Sequence, residues 1–281
     1  MTHIKQRGFT LIELVLVIII LGVVSVGLSG IIGNAMQAVI TVNEREQLLR
    51  EGSFLAERVN REINAAVPNS IRISGNASVH CMEFVPMLFS SLYLNIPLAN
   101  ESGTTADLLE LSDIQGNPFV PTSADFAIVN PTQASEVYDA SLGQRRVVNS
   151  CTDDGDGNCA TLDDADSVVQ IEVNDGFART SPAKKLYFAR NSVSYCVRNN
   201  AVYRHSSAMA TNQMLYSSGG SLMAQNVVNV LGPSASNGEQ NPFKSLGASF
   251  QRNASTQLLF VFGLDDERIT FMQEVQIPNV P

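Results

Sequence analysis

One carboxylate stands alone in an apolar stretch. Glu13 follows Leu11 and Ile12, and from there to Ile32 the chain carries no other charged side chain. A charge in hydrocarbon is costly, so an ionisable residue in such a stretch marks a functional position. The chemistry open to it is pairing. A buried carboxylate left without a partner is strongly destabilising, whereas a paired one can fix the register of an assembly. The plainer alternative is a glutamate that merely reaches to the membrane surface.

Cysteine offers a second chemistry. Cys81, Cys151, Cys159 and Cys196 allow three pairings. Cys151 and Cys159 enclose a short polar loop, which favours a local bridge and joins Cys81 to Cys196. Free buried thiols are one alternative. Another is a zinc site of His80, Cys81, Cys196 and His205, although these residues lack the tight Cys-x-x-Cys spacing of common structural sites.

The loop between Cys151 and Cys159 reads Asp153-Asp154-Gly155-Asp156-Gly157-Asn158, and Asp163, Asp164 and Asp166 follow. Calcium takes oxygen ligands of this kind, with Asp154, Asp156 and Asn158 as the candidates. The EF-hand pattern fails, because counting from Asp154 the glycine position holds Cys159 and the final glutamate position holds Ala165. A solvated acidic loop is the simpler reading. The expectation is weak calcium binding or none, and no other cofactor. No P-loop, Gly-x-Ser-x-Gly or His-Glu-x-x-His string occurs. His3 lies in the N-terminal leader, and His80 and His205 lie in strand-like stretches. No catalytic residues are assigned and an enzyme is not expected.

These residues need elements to place them. Residues 1–8 form a short leader with Lys5 and Arg7. Residues 9–33 are long enough, at ~1.5 Å per residue, to cross a bilayer core as a helix. Gly22, Gly27, Gly30 and Gly33 interrupt that stretch, and small residues let membrane helices approach closely. Residues 34–68 turn amphipathic. Leu48, Leu55, Val59, Ile63 and Ala66 form one helical stripe, Glu and Arg crowd the other faces, and Pro68 is expected to end the helix. Residues 69–281 read as a β-rich head. Ser78 to Val85 suits a buried strand. Val193 to Arg198 and Ala201 to His205 flank Asn199-Asn200, which suits a tight hairpin and sets Cys196 opposite Tyr203 and Tyr195 opposite Arg204. Gln257 to Gly263 and Arg268 to Ile277 form a last strand pair. The fold class is therefore α+β.

The chain has 281 residues with 18 basic and 27 acidic side chains. Loss of the leader removes two of the basic ones, taking the net charge from −9 to −11. An acidic surface without clustered Lys and Arg argues against nucleic acid. Four cysteines suit an exported domain, since disulfides persist outside the cytoplasm. An ordinary secretory signal, cleaved among Ser25, Gly27, Ser29 and Gly30, is the alternative to an anchor, but it gives no reason for Glu13.

The string Gly8-Phe9-Thr10-Leu11-Ile12-Glu13, behind a basic leader and ahead of an apolar run, resembles the class III signal of type IV pilins and pseudopilins. The resemblance implies cleavage after Gly8 by a prepilin peptidase, methylation of the new terminus at Phe9, and a role for Glu13 in subunit assembly. It implies a long N-terminal helix packed on a β-rich head. Many such pilins carry proline where this chain has Gly30, a departure that reads as a softer weak point. Within the superfamily, the strand–turn–strand around Tyr203-Arg204 and the final strand pair resemble J-type pseudopilins and W-type minor pilins. Arg7 to Gly22, the string Ala65 to Arg72 and Cys81 to Pro86 most resemble minor pilins of the mannose-sensitive haemagglutinin (MSHA) pilus. The implied function is structural: a subunit of the inner membrane, head in the periplasm, that joins a surface pilus at or near its tip in a priming complex. Its implied partners are major and minor pilins, the peptidase, the inner-membrane assembly platform and membrane lipid. A J-type pseudopilin of a type II secretion system is the first alternative, and a surface-binding adhesin head the second.

Overall fold

The computed structural model describes residues 8–109, 111–113, 115–153, 159, 167–233, 240–246 and 255–276. Helix α1 runs unbroken over Leu11–Asn64, 54 residues, or about 80 Å at the helical rise. Two strands follow, β1 (Arg72–Gly75) and β2 (His80–Phe84). Next come β3 (Phe89–Asn95), β4 (Thr105–Leu109) and β5 (Phe126–Val129), the short helix α2 (Ala134–Tyr138), then β6 (Arg145–Asp153), β7 (Val168–Val173) and β8 (Lys185–Ala189). The chain closes with β9 (Asn191–Arg198), β10 (Ala201–Ala208), β11 (Ser221–Ala224), β12 (Phe243–Leu246), β13 (Ser255–Leu264) and β14 (Glu267–Gln276). The architecture is α+β, a long N-terminal helix on a β-rich head.

The expected stripe is the face that docks. Leu48, Leu55, Val59 and Ile63 are fully buried. They share one core with Met82, Phe84, Tyr195, Phe260 and Phe262. That core lies between α1 and two sheets, one ordered β1-β2-β9-β10-β11 and one ordered β12-β13-β14. The helix stops at Asn64, short of Pro68, which corrects the expected boundary. Sheet pairing ends it first. Ala66 bridges Pro86, and the Val67 N–H donates to the Val85 carbonyl at 2.8 Å. Backbone committed to a strand partner cannot also continue the helical ladder. Gly30 and its neighbours leave α1 continuous.

The hairpin β9–β10 has the register read from sequence, with Cys196 opposite Tyr203 and Tyr195 opposite Arg204. Asn199 (φ 47°) and Asn200 (φ 57°) supply the left-handed pair that a type I′ turn requires. The last hairpin pairs Ser255–Gln276 through Leu264–Glu267 without a bulge.

The sequence did not reveal the barrel. Strands β3-β4-β7-β6-β5-β8 close on themselves around a separate core that includes Leu108, Val148, Ile171, Phe177 and Phe188. The barrel is contiguous in sequence and lies wholly between β2 and β9, which pair directly, Phe84 against Val193. It is thus an insertion at the end of one hairpin. A third, smaller core, with Val67, Val85, Tyr138 and Tyr187, joins it to the base. The Tyr138 hydroxyl donates to the Ser70 carbonyl at 3.0 Å, and the Arg72 guanidinium lies over the Tyr138 ring at 3.5 Å.

Candidate functional site

α1 divides in two by exposure. Each large apolar side chain described from Phe9 to Val42 is at least two-fifths exposed, from 41% at Val15 to 81% at Phe9 and Leu11. Leu48, one turn or so beyond Val42, is fully buried. Among the described residues, these apolar side chains are therefore not covered by the rest of the chain, and α1 is the one helix long and apolar enough to cross a membrane. Water does not tolerate so large an apolar surface on a monomer, so lipid or other protein must cover it.

Glu13 sits at the start of this half. Thr10 is the N-cap residue, and its hydroxyl accepts from the Glu13 N–H at 3.4 Å. The Glu13 carboxylate accepts in return from the Thr10 N–H at 3.1 Å and the Thr10 hydroxyl at 3.0 Å. This capping box satisfies donors that the first helical turn would otherwise leave open. It also gives the carboxylate donors of its own, independent of water. Thr10 was missed as a functional residue, although Thr-x-x-Glu before an apolar run is legible as a helix start. Gly8 and Phe9 lie just ahead of the cap, exposed.

Where the helix meets the head, polar groups fix its position. The Glu62 carboxylate accepts from Arg204 Nε at 3.0 Å and also pairs with Arg58. Burial, then the neighbouring Glu62 carboxylate, pushes the Tyr195 hydroxyl up to about 12. Gly52, also missed from sequence, faces Phe271 of β14, and a Cβ there would overlap that ring. The signal was available, since Gly52 falls on the buried stripe one turn after Leu48.

Both expected cystine bridges are present, Cys81–Cys196 and Cys151–Cys159. The first joins paired positions of β2 and β9. The zinc alternative is thereby corrected, because both thiols are spent. His80 and His205 pack instead as buried strand residues, His205 stacked on Tyr216 at 4.1 Å. Asp154, Asp156 and Asn158 lie outside the described residues.

Residues 4–29 match the prokaryotic N-terminal methylation motif. No curated protein and no solved structure matches the chain. The motif supports a type IV pilin-like protein, and the long apolar helix with its β-rich head fits the α+β pilin-like fold.

Proposed function

We propose that this chain is a structural minor subunit of a type IV pilus of the MSHA kind. A prepilin peptidase removes the leader after Gly8, and Phe9 is methylated. The subunit waits in the inner membrane with its head in the periplasm. The assembly platform then moves it into a filament, at or near the tip, within a priming complex of other pilins. The carrying observation is the apolar half of α1, exposed at its described side chains and bearing the single carboxylate Glu13 inside the matched methylation motif. Glu13 pairs with the methylated amino terminus of a neighbouring subunit. The tip position draws on the resemblance to J- and W-type proteins. A barrel added to the head supports it, since a bulky subunit fits poorly in a tightly packed shaft. The reading requires no cofactor.

Mass spectrometry of the mature terminus tests processing, with methylated Phe9 expected. A terminus beyond Ser25 would replace this reading with ordinary secretion. Glu13→Ala is expected to spare insertion, which the apolar run drives, and to leave the protein in the inner membrane with piliation impaired. Normal piliation in that variant would remove the pairing role.

A further inference from the structure

Among the described residues, the sheet β12-β13-β14 ends on a long edge with no further strand beside it. From Glu267 to Gln273, among the described residues, β14 makes backbone pairs with β13 alone. Edge strands are ordinarily blunted by brevity, bulges, proline, charged side chains or a covering element. This one has ten residues, no bulge and no proline. Its charges, Glu267, Arg268 and Glu274, lie outside the run from Ile269 to Gln273. Its side chains facing α1, Ile269, Phe271 and Gln273, are only half-buried, and Met272 is 70% exposed.

Beside that edge the packing is incomplete. A slot of about 170 Å³ opens between Ala56 of α1 and Leu258, Phe260, Phe271, Met272 and Gln273. Ala56 is the helix residue that lines it, and its single methyl leaves the space open. An apolar cavity of about 150 Å³ is enough to hold benzene, so the slot suits one bulky apolar side chain. At the other end of the edge, Glu44 of α1 faces Asp265, Asp266 and Glu267 across a small cleft. No basic side chain is paired with these four among the described residues.

These landmarks give the edge a direction. Glu267 lies by Glu44, Phe271 by Gly52, and Met272 by Ala56. Glu44 to Ala56 spans about 18 Å of helix, and Glu267 to Met272 spans about 17 Å of strand. β14 therefore runs alongside α1 in the same sense. Two copies anchored in one membrane hold their β14 strands parallel, which excludes a two-fold antiparallel β14 pair. Parallel pairing of two copies would bring their acidic tips together.

We propose that β14 is a strand-addition site for an extended segment of a different protein chain. The segment carries Lys or Arg at the end beside Glu44, Asp265, Asp266 and Glu267. It carries a bulky apolar residue about four to six positions away, on the face turned to α1, to fill the slot. Main-chain hydrogen bonds supply affinity in such docking, and side-chain pockets supply specificity. Only the orientation argument rests on the membrane-anchored reading of α1.

Two ten-residue Thr/Val peptides, each with one leucine placed for the slot and two lysines at either the amino or the carboxyl end, are the probes. Fluorescence polarisation on the full-length chain in detergent micelles is expected to show one of them binding. Hydrogen exchange of β14 amides should slow in that complex, and a proline at the peptide's centre should abolish it. Ala56→Phe, filling the slot from the helix, is expected to weaken binding about tenfold or more, as is the triple change D265N/D266N/E267Q. Gln273→Lys, a half-buried slot-lining position on the face turned to α1, makes the same test from β14, and unbound exchange in β13 reports whether each variant is folded. No binding by either peptide, or binding that survives in a folded slot variant, overturns the proposal. Neither result bears on leader cleavage or Phe9 methylation, which the N-terminal mass measurement tests separately.

Discussion

His80 shows how one side chain couples the fold to acidity. It is 3% exposed on β2, with no hydrogen-bond partner for Nδ1 among the described residues, and burial lowers its pKa from 6.5 to about 4. The folded state therefore favours the neutral ring more than the unfolded state does. That contribution is fully present above pH 6.5 and is lost as pH falls toward 4. Denaturant unfolding of the oxidised chain in detergent should show a loss of roughly 3 kcal/mol between pH 7 and pH 4 from this residue. His80→Leu should flatten that part of the profile, and an unchanged slope would assign the acid sensitivity elsewhere. At this scale the sequence was informative where chemistry is local. Glu13 stood out by its surroundings, and the cysteines paired as their spacing suggested. The Thr10 partner is equally local, a Thr-x-x-Glu helix start in which one glutamate serves both as cap and as membrane charge.

At the scale of elements, helices and hairpins were the legible part. The stripe from Leu48 to Ile63 and the turn at Asn199-Asn200 follow from neighbours in sequence, so their register could be read directly. Gly52 is the element-level residue that matters most and was not read. Its lack of a side chain lets β14 approach α1. Gly52→Ala raises helix propensity by up to about 1 kcal/mol, yet overpacking against Phe271 should cost about 1–3 kcal/mol. The second effect is expected to win, lowering the unfolding midpoint, and Phe271→Leu should restore much of the loss. A Gly52→Ala chain more stable than the parent would show that α1 and β14 yield readily. The cystines make a sharper contrast. Cys81–Cys196 closes a separation of 115 residues and Cys151–Cys159 one of 8. On loop entropy, replacing the first pair with serines should cost about 4–5 kcal/mol and the second about 2–3 kcal/mol. Unfolding of the two double variants checks the order, and equal losses would mean that local packing outweighs chain entropy.

For the whole molecule, the sequence conveyed the plan of helix and head but not the head's division. The barrel is built from pairings such as β3 with β8 and β4 with β7, which join strands far apart in sequence. No local pattern records which distant strand will be a neighbour, so a set of short strands with Ser- and Asn-rich loops gave no sign of closure. The slot by Ala56 was hidden for the same reason, since it is made of residues from three elements. The way the barrel is attached has a further meaning. It leaves and rejoins the base at two adjacent strand ends, just past the junction stapled by Cys81–Cys196, and beyond the end of α1 opposite the apolar half. A module spliced in this way exerts little leverage on its host. Provided the small core of Val67, Val85, Tyr138 and Tyr187 is kept, changes in the rest of the barrel are expected to leave the helix register and the base sheet largely in place. The outer part of the molecule can thus diversify at its own pace, while the anchored part stays fixed by everything it must fit.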